Sequence, residues 1–171
     1  RLVHALLQHL PDRPPAEREA AGRRFLARPG HGLAPEEQAE VLAEVLAVLA
    51  HPEVAAAFVA DEPGPTGPYP LRYLAEAPIA GRVGGQLIAG QVDRLVVGAA
   101  RVLVLDYKTN RPPPRSLDAV PPLYLRQMAA YRAVLRAAFP GRPVACALVW
   151  TYGATVMPLP GALLDGHAPA G

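Results

Sequence analysis

An acid and a base lie two residues apart where an apolar run ends, in the stretch 101-RVLVLDYKTNRPPP-114. Asp106 and Lys108 close this strand-like run, and three prolines interrupt the chain soon afterwards. A second acid, Asp93, lies in the preceding strand-like stretch, 90-GQVDRLVV-97. Because a buried strand gains nothing by ending in charges, these three residues are the first candidates for chemistry.

The two stretches read as a β-hairpin with 98-GAAR-101 as its turn. That register places Asp93 opposite Asp106, with their Cβ atoms roughly 4.5 to 5.5 Å apart. Two such carboxylates repel, and the pKa of one rises unless a cation lies between them. Strand alternation predicts one shared face, made of Gln91, Asp93, Leu95, Val97, Val102, Val104, Asp106 and Lys108.

Paired aspartates indicate a divalent-cation site. Their hard oxygens suit Mg²⁺ or Mn²⁺ better than Zn²⁺. Lys108 on the same face could orient a water or stabilise charge on a phosphoryl oxygen. The alternative from residue types alone is structural: Asp106 caps the turn that begins at Thr109, and Lys108 is a solvated rim residue.

The elements that must position these residues follow from periodicity and turn signals. Apolar spacing predicts helices over about 1–10, 14–28 and 35–50, with a further turn or two over 52–59, before a proline and glycine loop at 61–70. Strands are predicted over about 71–78, 87–97, 102–107, 144–151 and 155–159, with a helix over 121–139. This order predicts an α/β or α+β fold with the helix packed across one sheet face.

Length and composition indicate one globular domain over residues 1–160, with a helical part (1–60), a sheet core (71–160) and a flexible tail (161–171). The lone Cys146 excludes a disulfide framework, and no signal peptide or membrane-spanning run is visible, so we expect a cytoplasmic protein with no membrane partner. The chain begins without Met inside a helical pattern, so we expect a piece of a longer polypeptide.

Positive charge is concentrated in the second half of the chain. Residues 90–143 carry nine Lys and Arg against three Asp, whereas residues 1–89 carry eight Lys and Arg against eleven Asp and Glu. A locally basic surface suits a polyanion. The alternative is that these arginines only solvate the surface of a protein rich in Arg, Ala and Pro.

Three short motifs resemble the RecB-family nuclease domain of the PD-(D/E)XK superfamily, in the order and spacing of that family. They are 90-GQVDRLVV-97, 104-VLDYKTN-110 and 127-QMAAY-131. The surrounding sequence is most similar to the C-terminal nuclease domains of AddA-type bacterial helicase-nucleases. The resemblance implies a restriction-endonuclease-like fold, a mixed central sheet flanked by helices with an N-terminal helical segment.

The resemblance also implies roles for individual residues. Asp93 would be the first metal-binding acid, Asp106 and Lys108 the D-x-K pair, and the Tyr107 carbonyl a further ligand. An upstream histidine ligand matches His4, with His9 as the weaker candidate, and Glu76 matches an accessory acid. Gln127 and Tyr131 match a Q-x-x-x-Y motif that contacts DNA, and their spacing alone puts them on one helix face.

The implied activity is Mg²⁺-dependent hydrolysis of DNA phosphodiester bonds during double-strand break repair, with Mn²⁺ as a substitute ion. The substrate would be a single-stranded end emerging from a helicase motor, and the partner a second, AddB-like subunit. Backbone contacts are expected from Arg111, Arg115 and Arg126. The alternative is an inactive nuclease fold that serves as a scaffold for DNA or a partner subunit.

Overall fold

The computed structural model describes residues 1–56 and 72–169. Four helices come first: α1 (Leu2–His9), α2 (Pro15–Leu26), α3 (Pro35–Ala50) and α4 (Pro52–Ala56). The second part contains β1 (Arg72–Val83), β2 (Gln86–Val97), β3 (Val102–Lys108), α5 (Pro122–Ala138), β4 (Val144–Trp150), β5 (Thr155–Leu159) and α6 (Gly161–Asp165). The predicted loop at 61–70 and the predicted helical turn at 57–59 lie outside the described residues.

The strands form one mixed sheet in the order β1-β2-β3-β4-β5. Neighbours are antiparallel except β3 and β4, which are parallel. A parallel pair needs a long crossover, and α5 supplies it. The mixed sheet flanked by helices confirms the predicted fold class, including its N-terminal helical segment.

Each face of the sheet carries its own apolar layer. Side chains of α5, among them Met128 and Leu135, pack with Val102, Val104 and Leu148 on one face. The N-terminal helices pack on the opposite face, against β3 and β4 residues that include Leu105, Tyr107 and Val149. The sheet is therefore buried on both sides at its centre, which explains why β3 and β4 read as near-continuous apolar runs.

Local sequence accounts for the positions of the main helices. Pro35 opens α3 and the Glu37 carboxylate accepts the Ala34 N–H at 2.8 Å, satisfying a donor at the helix start. Pro122 opens α5 in the same way, and 140-PG-141 follows its end. These two helices match the sequence prediction within one residue at each end.

Two features differ from the prediction. The strand predicted over 71–78 continues to Val83 and forms a hairpin with β2 through Gly84 and Gly85, whose φ angles of 54° and 77° suit glycine. The expectation of a flexible tail over 161–171 is wrong for Gly161–Asp165, which form α6. Leu164 is 1% exposed in the core beneath α5, and Asp165 Oδ1 lies 2.6 Å from Arg132 Nη1.

No helix within residues 1–56 and 72–169 is both long and apolar enough to cross a membrane.

Candidate active site

The central strands deliver two of the predicted residues to one end of the sheet. Asp106 and Lys108 are the last alternate residues of β3, beside Leu148 and Trp150 of the parallel strand β4. Both point to the α5 side, because Val102 and Val104, which share their alternation, lie in the α5-side core. Asp106 is 3% exposed, so its carboxylate is almost completely removed from water.

The predicted hairpin register is present between β2 and β3. The pairs run from Val97–Val102 to Arg94–Leu105. The next step would pair Asp93 with Asp106, but the backbone pairing stops before it. The Asp93 side chain bonds to β3 instead, and its Oδ2 accepts the Tyr107 N–H at 2.7 Å. Asp93 is therefore fixed to β3 between Asp106 and Lys108.

Uniform alternation along β2, as predicted, is wrong at this point. Val92 and Leu95 are three residues apart, yet both lie in the α5-side core. The break also affects β1, where Ala75–Arg94 and Ala77–Val92 pair across an irregular step at Glu76 and Asp93. Glu76 has a φ of 50°, a strained angle for a non-glycine residue. The irregularity turns Asp93 toward β3 and the N-terminal helices.

His4 approaches the same point from α1. Its Nε2 lies 2.9 Å from the Tyr107 carbonyl oxygen and 3.7 Å from Asp93 Oδ2. Buried Val3, Leu6 and Leu7 hold α1 in the apolar layer on this sheet face, which fixes the histidine at the layer's edge. The structure thus brings His4, Asp93 and the Tyr107 carbonyl together, while His9 lies on the exposed part of α1.

Lys108 is the only lysine of the sequence, among sixteen arginines. Its Nζ lies 2.6 Å from Asp106 Oδ2, which makes a close ion pair. The ammonium also donates to Gln127 Oε1 at 3.0 Å and lies 4.2 Å from the centre of the Tyr124 ring. The ammonium is a compact charge and the guanidinium of arginine is a planar one, so the two are not interchangeable at such a position.

The α5 side of the site is a chain of hydrogen bonds. Gln127 Nε2 donates to the Tyr131 hydroxyl at 3.0 Å, as expected for residues one helical turn apart. Tyr131 packs against Gly90, where a Cβ atom would lie 2.6 Å from the ring. The glycine of 90-GQVD-93 therefore makes room for the tyrosine that ends the Q-x-x-x-Y motif.

Sequence reasoning missed two residues beside Lys108. Tyr124 contributes the ring under the ammonium, and its hydroxyl donates to Asn110 Oδ1 at 3.1 Å. The signal was available for Tyr124, which precedes Gln127 by three residues and so shares its helix face. For Asn110 no sequence signal distinguished a site residue from ordinary turn chemistry.

Burial and the second carboxylate dominate the electrostatics of the site. They raise the pKa of Asp93 from its ordinary 3.8 to about 6, with burial the larger cause and Asp106 the next. The Tyr107 N–H and His4 oppose this rise, and Glu76 adds to it. The predicted repulsion between the two aspartates is therefore present, and it creates a site that favours a positive charge.

The donor set fits a hard divalent cation. Asp93, Asp106 and the Tyr107 carbonyl offer oxygens, and His4 offers an imidazole nitrogen. His4 Nε2 lies within hydrogen-bond distance of the Tyr107 oxygen, at 2.9 Å, so the two donor atoms are found at the same point of the site. Within the described residues, however, no three His, Cys, Asp or Glu side chains form a cluster that could hold a metal ion. Asp106 instead faces Lys108.

The arginines predicted to contact DNA differ in their exposure and in their contacts within the protein. Arg115 and Arg126 are exposed. Arg111 forms an ion pair with Glu44 of α3 and lies 4.9 Å from the Tyr152 ring centre. Arg94, counted in the basic half of the sequence, is 4% exposed, so its charge does not belong to the surface.

A comparison with family models identifies the class of protein that this fold and site define. The model of the PD-(D/E)XK nuclease superfamily matches residues 1–156. The chain belongs to this superfamily, whose members are largely nucleases and generally use divalent metal ions. A comparison with curated proteins gives no match.

Proposed function

We propose that this chain is a Mg²⁺-dependent deoxyribonuclease domain that hydrolyses phosphodiester bonds of single-stranded DNA. The observation that carries the proposal is the Asp106–Lys108 ion pair of 2.6 Å, located next to Asp93, whose pKa is raised to about 6. Opposed carboxylates and a lysine shielded from water suit phosphoryl-transfer chemistry.

The metal would be held by His4, Asp93, Asp106 and the Tyr107 carbonyl, with Glu76 as an accessory acid. A bound Mg²⁺ would activate water and neutralise charge on the phosphoryl oxygens. Lys108 orients the attacking water and stabilises the negative charge that develops at phosphorus. As the water oxygen bonds to phosphorus, the bond to one sugar oxygen breaks. The water gives up one proton to solvent, and the sugar oxygen takes one from solvent and leaves as a hydroxyl.

Gln127 and Tyr131 act at the edge of the site. The Gln127 carbonyl oxygen holds the Lys108 ammonium, while its amide donates to Tyr131. We propose that both side chains also contact the DNA backbone, together with the exposed Arg115 and Arg126. Arg111 has a structural partner in Glu44, so it can contribute to DNA binding only through the face that Glu44 leaves open.

The same proposal includes the larger protein of which this domain would be a part. The motifs 90-GQVDRLVV-97, 104-VLDYKTN-110 and 127-QMAAY-131 support a cytoplasmic AddA-type helicase-nuclease that processes broken DNA ends. In that setting the strand arrives from a helicase motor, and an AddB-like subunit is the partner.

The direct test is cleavage of a labelled single-stranded oligonucleotide with Mg²⁺, Mn²⁺ or EDTA. Asp106→Ala and Lys108→Ala should abolish cleavage, and Lys108→Arg should not restore it. Asp118→Ala, which removes an exposed acid from the turn Leu117–Ala119, is the matched control and should cut like the wild type. Circular dichroism establishes that each variant is folded.

Two results would contradict the proposal. Cleavage that persists in both Asp106→Ala and Lys108→Ala would remove these residues from the catalytic centre. A folded wild type that neither cuts DNA nor binds Mn²⁺ by calorimetry would instead support a scaffold role for the nuclease fold.

A further inference from the structure

A cavity of about 380 Å³ lies between α1 and α2, outside the proposed catalytic residues. Its apolar lining includes Leu6 and Leu10, which are buried, and Phe25, which is half-buried. The cavity is therefore a recess between two helices that each pack on α3.

Four cationic or potentially cationic side chains surround this recess, and all four are exposed. They are His9, Arg13, Arg24 and Arg28. Arg13 has a distant acidic neighbour, Glu17, with 4.0 Å between Nη1 and Oε2. This group is basic although the first half of the chain is acidic on balance.

The arginines of the recess have few internal partners. Arg28 lies over the Phe25 ring, 5.1 Å from its centre, which leaves the guanidinium without an acid. Arg24 forms no hydrogen bond or ion pair with any residue in 1–56 or 72–169. By contrast, Arg23 is held by Glu19 at 2.6 Å and does not line the recess. Exposed guanidinium groups around a recess whose lining contains no acid suit a phosphate group.

The recess is close to the catalytic end of the sheet. Ala5 and Leu6, which line it, directly follow His4 in α1. His9 lies five residues beyond His4, about 7.5 Å along a helix that rises ~1.5 Å per residue.

We infer that the α1–α2 recess binds backbone phosphates of the single-stranded DNA substrate, a short distance from the bond that is cut. The inference rests on the proposed nuclease function and adds a second binding region on the N-terminal helices. The ligand is the phosphodiester chain rather than a base, because Phe25 is already covered by Arg28 and by His31, whose ring centre is 4.8 Å away.

The test is the affinity for fluorescein-labelled oligothymidylates of 4 and 12 nucleotides, measured by anisotropy in EDTA across a salt series with the 171-residue chain. Arg24→Ala should weaken binding of the 12-mer about three- to tenfold and reduce the slope of log K against log salt by about 0.7. Arg24→Ala/Arg28→Ala should reduce the slope by about 1.4.

The matched control is Arg23→Ala, which removes the same charge from the adjacent position of α2 and should leave the slope unchanged. An equal loss in Arg23→Ala and Arg24→Ala would show a general charge effect and overturn the inference. A wild-type slope in the double variant, with its circular dichroism intact, would also overturn it.

Two further comparisons distinguish free phosphate from the DNA backbone as the ligand, and failure of this inference from failure of the nuclease proposal. If inorganic phosphate binds the recess as well as the 12-mer does, and the 12-mer binds no better than the 4-mer, the site takes free phosphate and the inference fails. Because binding is measured in EDTA, a failed recess leaves wild-type cleavage with Mg²⁺ intact. A failed nuclease proposal appears instead as absent cleavage.

Discussion

Neutralising Asp93 should stabilise the metal-free protein although it removes a proposed metal ligand. Burial and the nearby Asp106 raise the pKa of Asp93 to about 6 from 3.8, so the ionised carboxylate destabilises the fold. At ~1.36 kcal/mol per pKa unit, the shift corresponds to about 3 kcal/mol above pH 7.

Asp93→Asn removes this charge and keeps a side-chain oxygen that can accept the Tyr107 N–H. The amide also introduces N–H donors that must be desolvated, which offsets part of the gain, so we expect a net gain of roughly 2 kcal/mol. For a chain of this length the melting temperature should rise by about 4 to 8 °C in EDTA at pH 7.5.

The pH dependence follows from the direction of the shift. The folded state binds the Asp93 proton more tightly than the unfolded state does, so this contribution to stability is complete below pH 3.8 and is lost as the pH rises through about 6. The difference between variant and wild type should therefore shrink at pH 5 and reach its full value above pH 7.

The assay is thermal and urea denaturation at pH 5, 6 and 7.5, with exposed Asp118→Asn as the control. Mg²⁺ should stabilise the wild type and not Asp93→Asn, since a ligand that binds only the folded state raises stability by mass action. A variant no more stable than wild type at pH 7.5 in EDTA, or a gain that is constant with pH, would refute the reasoning.

Three further substitutions test other parts of the structure. Gly90→Ala should displace Tyr131, because its Cβ would lie 2.6 Å from the ring, and cost about 1 to 3 kcal/mol by urea denaturation; a neutral effect would contradict the close packing. Leu164→Ala should lower the free energy of unfolding by about 2 to 4 kcal/mol in the same assay, since this leucine is 1% exposed. A change near zero would show that α6 does not pack on the core. Tyr124→Leu should lower the rate of DNA cleavage more than Tyr124→Phe, which keeps a ring under Lys108, and equal rates would show that the ring does not position the ammonium.

The parts of the fold that sequence predicted are those determined by neighbours along the chain. The β2–β3 hairpin followed from a four-residue turn between two alternating runs, and its register is as predicted from Arg94 to Val97. Helix α3 followed from Pro35 and a regular apolar stripe. Each signal lies within about twenty residues, where propensity and pattern determine the structure.

The features that escaped prediction depend on distant partners. The break at Asp93 involves Glu76 in another strand, and two-residue periodicity in β2 alone gives no sign of it. The partner of Arg111 is Glu44, which lies 67 positions earlier, so this arginine read as a free cation. Helix α6 has only five residues and owes its position to Leu164 and Asp165 contacting other elements.

The lone lysine allows the site to be labelled selectively through its amine. Lys108 is the only lysine of the 171-residue sequence, so reductive methylation with ¹³C-formaldehyde would label a single side chain within it. The Lys108 methyl signal would come from a group 2.6 Å from Asp106 and 4.2 Å from the Tyr124 ring centre, where ring currents shift resonances. The proposed catalytic centre can therefore be observed by NMR through one residue, during titration with Mg²⁺ or DNA, without assigning the rest of the spectrum.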